Sequence, residues 1–185
     1  SWNPRVAKEA AALAASGLNL AVLGVSSDRY RLRGDSELAH RSGYRYQSLA
    51  PQNPSNFDRI IRRLLPRIWS RLAGRLHAGL GVENRWQLGS YASQLLRCAL
   101  ASGADYFIVH LEEAAWVGSV LLREGHRVGV DLEDWYSEDL PPEVRRYRPI
   151  RLLRELERRL LTEGSHSTCP SQAMSEALAE EYLCK

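Results

Sequence analysis

Residues whose types could do chemistry crowd into one stretch, VGVDLEDWYSEDLPPE, at positions 128–143. Asp131, Glu133, Asp134, Glu138, Asp139 and Glu143 fall within thirteen positions, with Trp135 and Tyr136 in their midst. Three chemistries fit such a crowd. Asp131 and Glu133 stand two apart where an apolar run ends, and if that strand persists, alternation turns both to one side. A pair of this kind can hold a divalent cation, given octahedral oxygen ligation shared with substrate phosphates. It can equally bind hydroxyls at the edge of a cleft or take up a proton as a general base. Glu138, Asp139 and Glu143, which flank Pro141 and Pro142, read more simply as a solvated loop and a helix start.

Other polar groups fall at the ends of apolar runs. His110 closes DYFIVH, and in parallel sheets ligands gather at the carboxyl ends of strands. Its imidazole could hydrogen-bond a ligand hydroxyl there; a histidine capping the helix that starts at Leu111 is the plainer alternative. Glu112 and Glu113 sit where a helix dipole favours them. Gly24 and Ser26 stand at the carboxyl end of the run LNLAVLGV and could line the same cleft or simply turn the chain. A segment at 57–77 carries Arg59, Arg62, Arg63, Arg67, Arg71 and Arg75 against Asp58, over an apolar stripe that includes Trp69. Pro66 should kink or split it. A basic amphipathic helix can lie on an anionic membrane, or pack its stripe on a sheet with its arginines solvated.

The elements that must position these groups follow from periodicity and punctuation. Asn3, Pro4 and Gly17 bracket a helix over 3–17. LNLAVLGV (18–25) and YRYQSL (44–49) read as strands, with the polar stretch between them as loop. Helices are expected over 88–102, 111–125, 148–163 and 172–183, and strands over 104–110, 127–133 and 165–171. This strand–helix alternation builds a parallel sheet, so the fold class is α/β, a doubly wound Rossmann-like sheet with helices on both faces. A doubly wound domain normally opens on a central strand and a phosphate-binding turn. The chain instead begins on a helix, so that first strand is expected upstream of Ser1.

Composition sets outer bounds. The 185 residues, 44% hydrophobic and 25% charged, suit one globular core. A net charge of +3 is too mild to argue for nucleic acid. Cys98, Cys169 and Cys184 lack any C-x-x-C spacing and read as reduced thiols of a cytoplasmic protein. No apolar run approaches 18 residues, and no signal peptide is recognisable. No G-x-G-x-x-G follows a strand, which disfavours a dinucleotide dehydrogenase.

WNPRVAKEAAALAASGLNLAVLGV resembles the opening of the N-terminal domain of retaining GT-B glycosyltransferases, a family that includes many bacterial polysaccharide synthases. Arg5, Lys8, Glu9, Ala10, Leu13 and Gly17 fit its R-x-x-K/R-E-A-x-x-L-x-x-x-G helix. ADYFIVHLEEAAWVGSVLLREGHRVGVDLED is similar to the segment in which a strand ends in His and the next in D-x-H-E. LLTEGSHSTCPSQAMSEALAEEY is similar to the following strand and helix. The chain departs from D-x-H-E by carrying Glu133 where the histidine would stand.

The resemblance implies that residues 1–185 form a single acceptor-side domain, the N-terminal half of a GT-B architecture. Its partner, a C-terminal donor-binding domain with an E-x7-E pair, is expected outside this sequence, so this segment alone should be inactive. Glu155 and Glu163 share that spacing, but on an amphipathic helix among arginines they read as surface charges. The implied reaction moves a sugar from a nucleotide-activated donor to a glycan or lipid-linked acceptor. His110, Asp131 and Glu133 would be the catalytic candidates, and Gly24, Ser26 and Asp134 would line the cleft. Arg59, Arg62, Arg63, Arg67, Trp69 and Arg71 would face an anionic inner membrane. The family generally needs no metal or other cofactor, since helix dipoles and basic side chains neutralise the leaving diphosphate. A nucleotide-sugar 2-epimerase of the same architecture and a non-catalytic membrane- or partner-binding module are the alternatives.

Overall fold

The computed structural model describes residues 3–25, 29–49, 68, 72, 80–145 and 147–184. The chain divides into two compact units, Ser1–Ile60 and Ile61–Lys185.

The first unit runs α1 (Pro4–Ala15), β1 (Ala21–Gly24), α2 (Arg29–Arg41) and β2 (Arg45–Ser48), with β1 and β2 paired in parallel. Helix α1 begins as its sequence dictates. The Asn3 side chain accepts the N–H groups of Arg5 at 3.0 Å and Val6 at 3.4 Å, and Pro4 takes the first turn, where a missing donor costs nothing. Gly17 ends it at φ 86°, a conformation that a Cβ would strain. Ala10, Ala39 and Tyr44 are buried at the centre of this unit, with Ala14, Leu20, Val22 and Tyr46 around them.

Helix α2 corrects the sequence reading, which made this stretch a loop. Its buried row runs through Asp35 and Ala39, one helical turn apart. An acid in the inward row hides the apolar period that would announce a helix. Asp35 lies by the Tyr46 hydroxyl, whose pKa is pushed up to about 12 by burial first and by Asp35 next.

In the second unit a 3-10 turn (Arg85–Gln87) precedes α3 (Ala92–Ala101), β3 (Phe107–His110), α4 (Leu111–Arg123), β4 (Val128–Asp131) and α5 (Pro142–Arg145). Then come α6 (Ile150–Glu163), β5 (His166–Thr168) and α7 (Gln172–Tyr182). The strands form a parallel sheet in the order β3-β4-β5. All four residues of β4 are buried, as its central place requires. The crossover helices α4 and α6 both pack on β4 and on each other, so they cover one face of this sheet. Gly118 of α4 makes that approach possible: a Cβ there would lie 3.0 Å from Val109 and 3.1 Å from Leu160.

Two helices of this unit are capped by distant glutamates. Tyr91 precedes α3 without capping it, and Glu113 of α4 instead accepts the Tyr91 and Ala92 N–H groups. Pro149 precedes α6 and cannot cap it, and Glu83 accepts the Leu152 N–H at 2.6 Å. Both carboxylates meet the positive end of a helix dipole.

The chain is thus α/β, with a two-stranded and a three-stranded parallel sheet among the described residues. None of the described helices is long and apolar enough to cross a membrane.

Candidate functional site

The parallel register places His110 beside Asp131, and Asp131 beside Thr168. Each residue ends its strand, so three polar side chains stand in a row at the carboxyl edge of the sheet. His110 Nδ1 lies 3.2 Å from Asp131 Oδ2. Thr168 donates its hydroxyl to Asp131 Oδ1 at 2.7 Å. The Asp131 side chain is only 5% exposed and that of His110 12%, so solvent screens little of this electrostatics.

Glu133 arrives by a different route from the one expected. Strand β4 stops at Asp131, so alternation along a strand does not aim Glu133. The bend that follows does, bringing Glu133 Oε1 to 3.7 Å from His110 Nδ1. His110 stands at the N-cap position of α4 but makes no side-chain cap hydrogen bond, so the plain capping role is not the one its imidazole plays.

Tyr136 fixes the backbone on both sides of this cluster. Its buried hydroxyl accepts the Leu111 N–H at 3.2 Å and a backbone hydrogen bond from Glu133. Leu111 has φ 67°, the left-handed region that a leucine seldom adopts, so the strand turns abruptly into the helix. Burial, above all, holds the Tyr136 hydroxyl well above its ordinary pKa, which keeps it protonated.

The rest of the acidic loop is anchored and not merely solvated. Ser137 is fully buried and binds Glu157 of α6 through its N–H at 3.0 Å and its hydroxyl at 2.7 Å. Glu138 accepts from Arg145 and from Arg154, and the Arg154 hydrogen bond is the main reason its carboxyl is held below the ordinary range. Asp139 and Glu143 are exposed, as the sequence suggests. Glu112, read as a dipole partner, also pairs with Arg148.

Comparison with family models, curated proteins and solved structures gave no match.

The chemistry open to the site follows from the imidazole. Two carboxylate oxygens near Nδ1 favour a proton there, which makes Nε2 the basic nitrogen and stabilises an imidazolium once formed. That arrangement suits accepting a proton from, or hydrogen-bonding, a hydroxyl brought to the sheet edge. Beside Thr168 a half-open groove of about 280 Å³ is lined by Leu132, Leu161, Ser171, Gln172, Ser175 and Leu178, among other uncharged residues.

The remaining candidates fall elsewhere. Asp134 is exposed in the loop beyond Glu133. Gly24 ends β1 in the first unit, where the space a Cβ would need is taken by Tyr46, with its hydroxyl oxygen at 2.7 Å. Ser26 and the segment bearing Arg59, Arg62, Arg63, Arg67, Trp69 and Arg71 lie outside the described residues. Glu155 and Glu163 are 55% and 51% exposed and flank Arg159 on α6, the surface role expected of them. The three cysteines carry no disulfide. Sequence reasoning missed Thr168, Tyr136 and Glu157. The rule that singled out His110 and Asp131, a polar residue at a strand's carboxyl end, applies equally to Thr168.

Proposed function

We propose that this chain provides the acceptor-side, N-terminal domain of a retaining GT-B glycosyltransferase, with a doubly wound Rossmann-like sheet. The enzyme would transfer a sugar from a nucleotide-activated donor to a glycan or lipid-linked acceptor. The observation that carries the reading is the convergence of His110, Asp131 and Glu133 at the carboxyl ends of parallel strands. This is where the resemblance in sequence puts the family's strand-end histidine and acidic motif. The uncharged groove beside Thr168 suits a neutral sugar ring, which offers hydroxyls to Ser and Gln side chains and an apolar face to leucines.

On this reading His110 contacts a hydroxyl of the transferred sugar or acceptor, and Asp131 and Glu133 orient the imidazole and stabilise its charged form. The donor is held mainly by a second domain, and closure of the cleft excludes water from the activated sugar. No metal is needed, because dipoles and basic groups neutralise the departing diphosphate. The protein works in the cytoplasm, and its arginine-rich segment at 57–77 draws it to anionic lipid at the inner membrane face.

The test is turnover by the full-length protein across a panel of nucleotide sugars with glycan and lipid-linked acceptors, read by mass spectrometry. Release of nucleoside diphosphate with a glycosylated product is expected, falling on the order of a hundredfold or more in His110→Ala. No transfer and no donor hydrolysis across the panel would overturn the reading. Glu133, a second carboxylate beside His110, favours one competitor, proton abstraction by a 2-epimerase. That enzyme would instead return the donor as its epimer.

A further inference from the structure

We infer that Thr168 is a positioning residue for the His110–Asp131 pair, acting through its hydroxyl. As far as turnover is concerned this rests on the glycosyl-transfer reading; the geometry does not.

Thr168 grips the end of β4 twice. Its carbonyl accepts the Leu132 N–H at 2.8 Å, and its hydroxyl donates to Asp131 Oδ1 at 2.7 Å. The first bond continues the sheet and would form with any residue at this position. The second depends on the side chain. Threonine is β-branched and stiff at χ1, so a backbone held by the ladder delivers the hydroxyl to one place. Asp131 is buried, and its carboxylate can turn about its terminal torsion unless something holds it. With Oδ1 engaged by Thr168, Oδ2 is left facing His110 Nδ1 at 3.2 Å. Remove the hydroxyl and a buried carboxylate oxygen loses a donor, which gives the carboxylate reason to turn away from the imidazole.

The location of Thr168 strengthens the inference. It is exposed and lines the groove, so no packing demand dictates a threonine. A valine there keeps shape and β-propensity while deleting the hydroxyl alone, and a serine keeps the hydroxyl while deleting the methyl group. Thr168 thus lines the groove and holds Asp131 at once. A ligand in the groove that hydrogen-bonds its hydroxyl would be sensed at His110.

The experiment compares wild type, Thr168→Val and Thr168→Ser in the full chain, with thermal unfolding confirming that each is folded. The readout is the proton–nitrogen multiple-bond correlation spectrum of the His110 ring, assigned with His110→Gln. Wild type and T168S should both give the pattern of a single tautomer protonated at Nδ1, and T168V an averaged mixture of tautomers. A T168V spectrum indistinguishable from wild type would overturn the inference. So would a T168S spectrum matching T168V, since the methyl group and not the hydroxyl would then be responsible. Where transfer is measurable, kcat should drop roughly ten- to a hundredfold in T168V with KM little changed, and recover in T168S. A changed spectrum with unchanged kcat would uphold the positioning role and count against His110 in catalysis.

Discussion

Glu157 of α6 and Ser137 of the acidic loop meet at 2.7 Å, carboxylate to hydroxyl, with both residues out of reach of solvent. Tyr182 of α7 donates its hydroxyl to the same oxygen of Glu157 at 2.6 Å. A single carboxyl group thus joins the loop that carries the candidate site to two helices. All three hydrogen bonds it receives come from neutral donors.

This join makes stability depend on pH in a definite sense. Burial, above all, holds the Glu157 carboxyl above its ordinary value of 4.5, against the pull of its hydrogen bonds. The fold therefore favours the protonated acid. Its stabilisation is complete below the ordinary value and is lost as pH rises through the raised one. Glu157→Gln, a neutral mimic of the acid, should stay within about 1 kcal/mol of wild type in acid and gain on it as pH climbs. Urea unfolding at a series of pH values checks this; parallel curves for the two proteins would refute it.

Tyr136→Phe deletes the acceptor of the Leu111 N–H at the turn from β3 into α4. The expected cost is about 1–2 kcal/mol, the penalty of leaving a half-buried donor unmade. Hydrogen exchange should localise the effect, with the amides of Leu111 and Glu133 losing protection more than those in the middle of α4. Equal loss throughout α4 would mean that Tyr136 supports the helix generally and not the turn.

Gly129 of β4 has no room for a side chain. A Cβ would fall 2.6 Å from the Tyr106 hydroxyl and 3.3 Å from the backbone oxygen of His166. Gly129→Ala should cost about 1–3 kcal/mol by overpacking. Most of that should return in the double variant with Tyr106→Phe, which removes the nearest clashing atom but also the hydroxyl that Ser165 contacts at 3.1 Å. A double-mutant cycle by chemical denaturation measures the coupling, and strict additivity would contradict it.

Glu83→Ala should destabilise the second unit by about 1 kcal/mol through the uncapped start of α6. Glu83→Gln, which keeps an acceptor for the Leu152 N–H, should lose less. Adding salt should weaken the wild type toward the glutamine variant, since only the charge is screened. A glutamine variant as unstable as the alanine one would assign the effect to charge alone.

Where residues follow one another in period, the sequence was legible. The capped α1, the three strands of the second unit and the helices between them fall within a few residues of where periodicity and punctuation put them. His110 and Asp131 follow, because a strand's last residue is visible once the strand is. The failures share a cause. Helix α2 was hidden by Asp35, a charge placed inward beside a tyrosine of the next strand. Glu157 looked like one more acid on a charged helix, since its donors, Ser137 and Tyr182, lie 20 and 25 residues off. Glu133 reaches His110 through a bend past the end of β4, which strand alternation does not foretell. Pairings across the sheet and between elements leave no local mark, and these are what complete the site.

The row of His110, Asp131 and Thr168 also has a consequence for the order of folding. Each member belongs to a different strand, and the Asp131–Thr168 contact spans 37 residues of chain. Neither pairing can form until the helix between its strands has closed the loop, an entropic cost met before any contact rewards it. A chain with β5 undocked could retain β3, β4 and α4 and still lack the hydroxyl that steadies Asp131. The site therefore forms only once β5 has docked, and its presence certifies that the three-stranded sheet is complete.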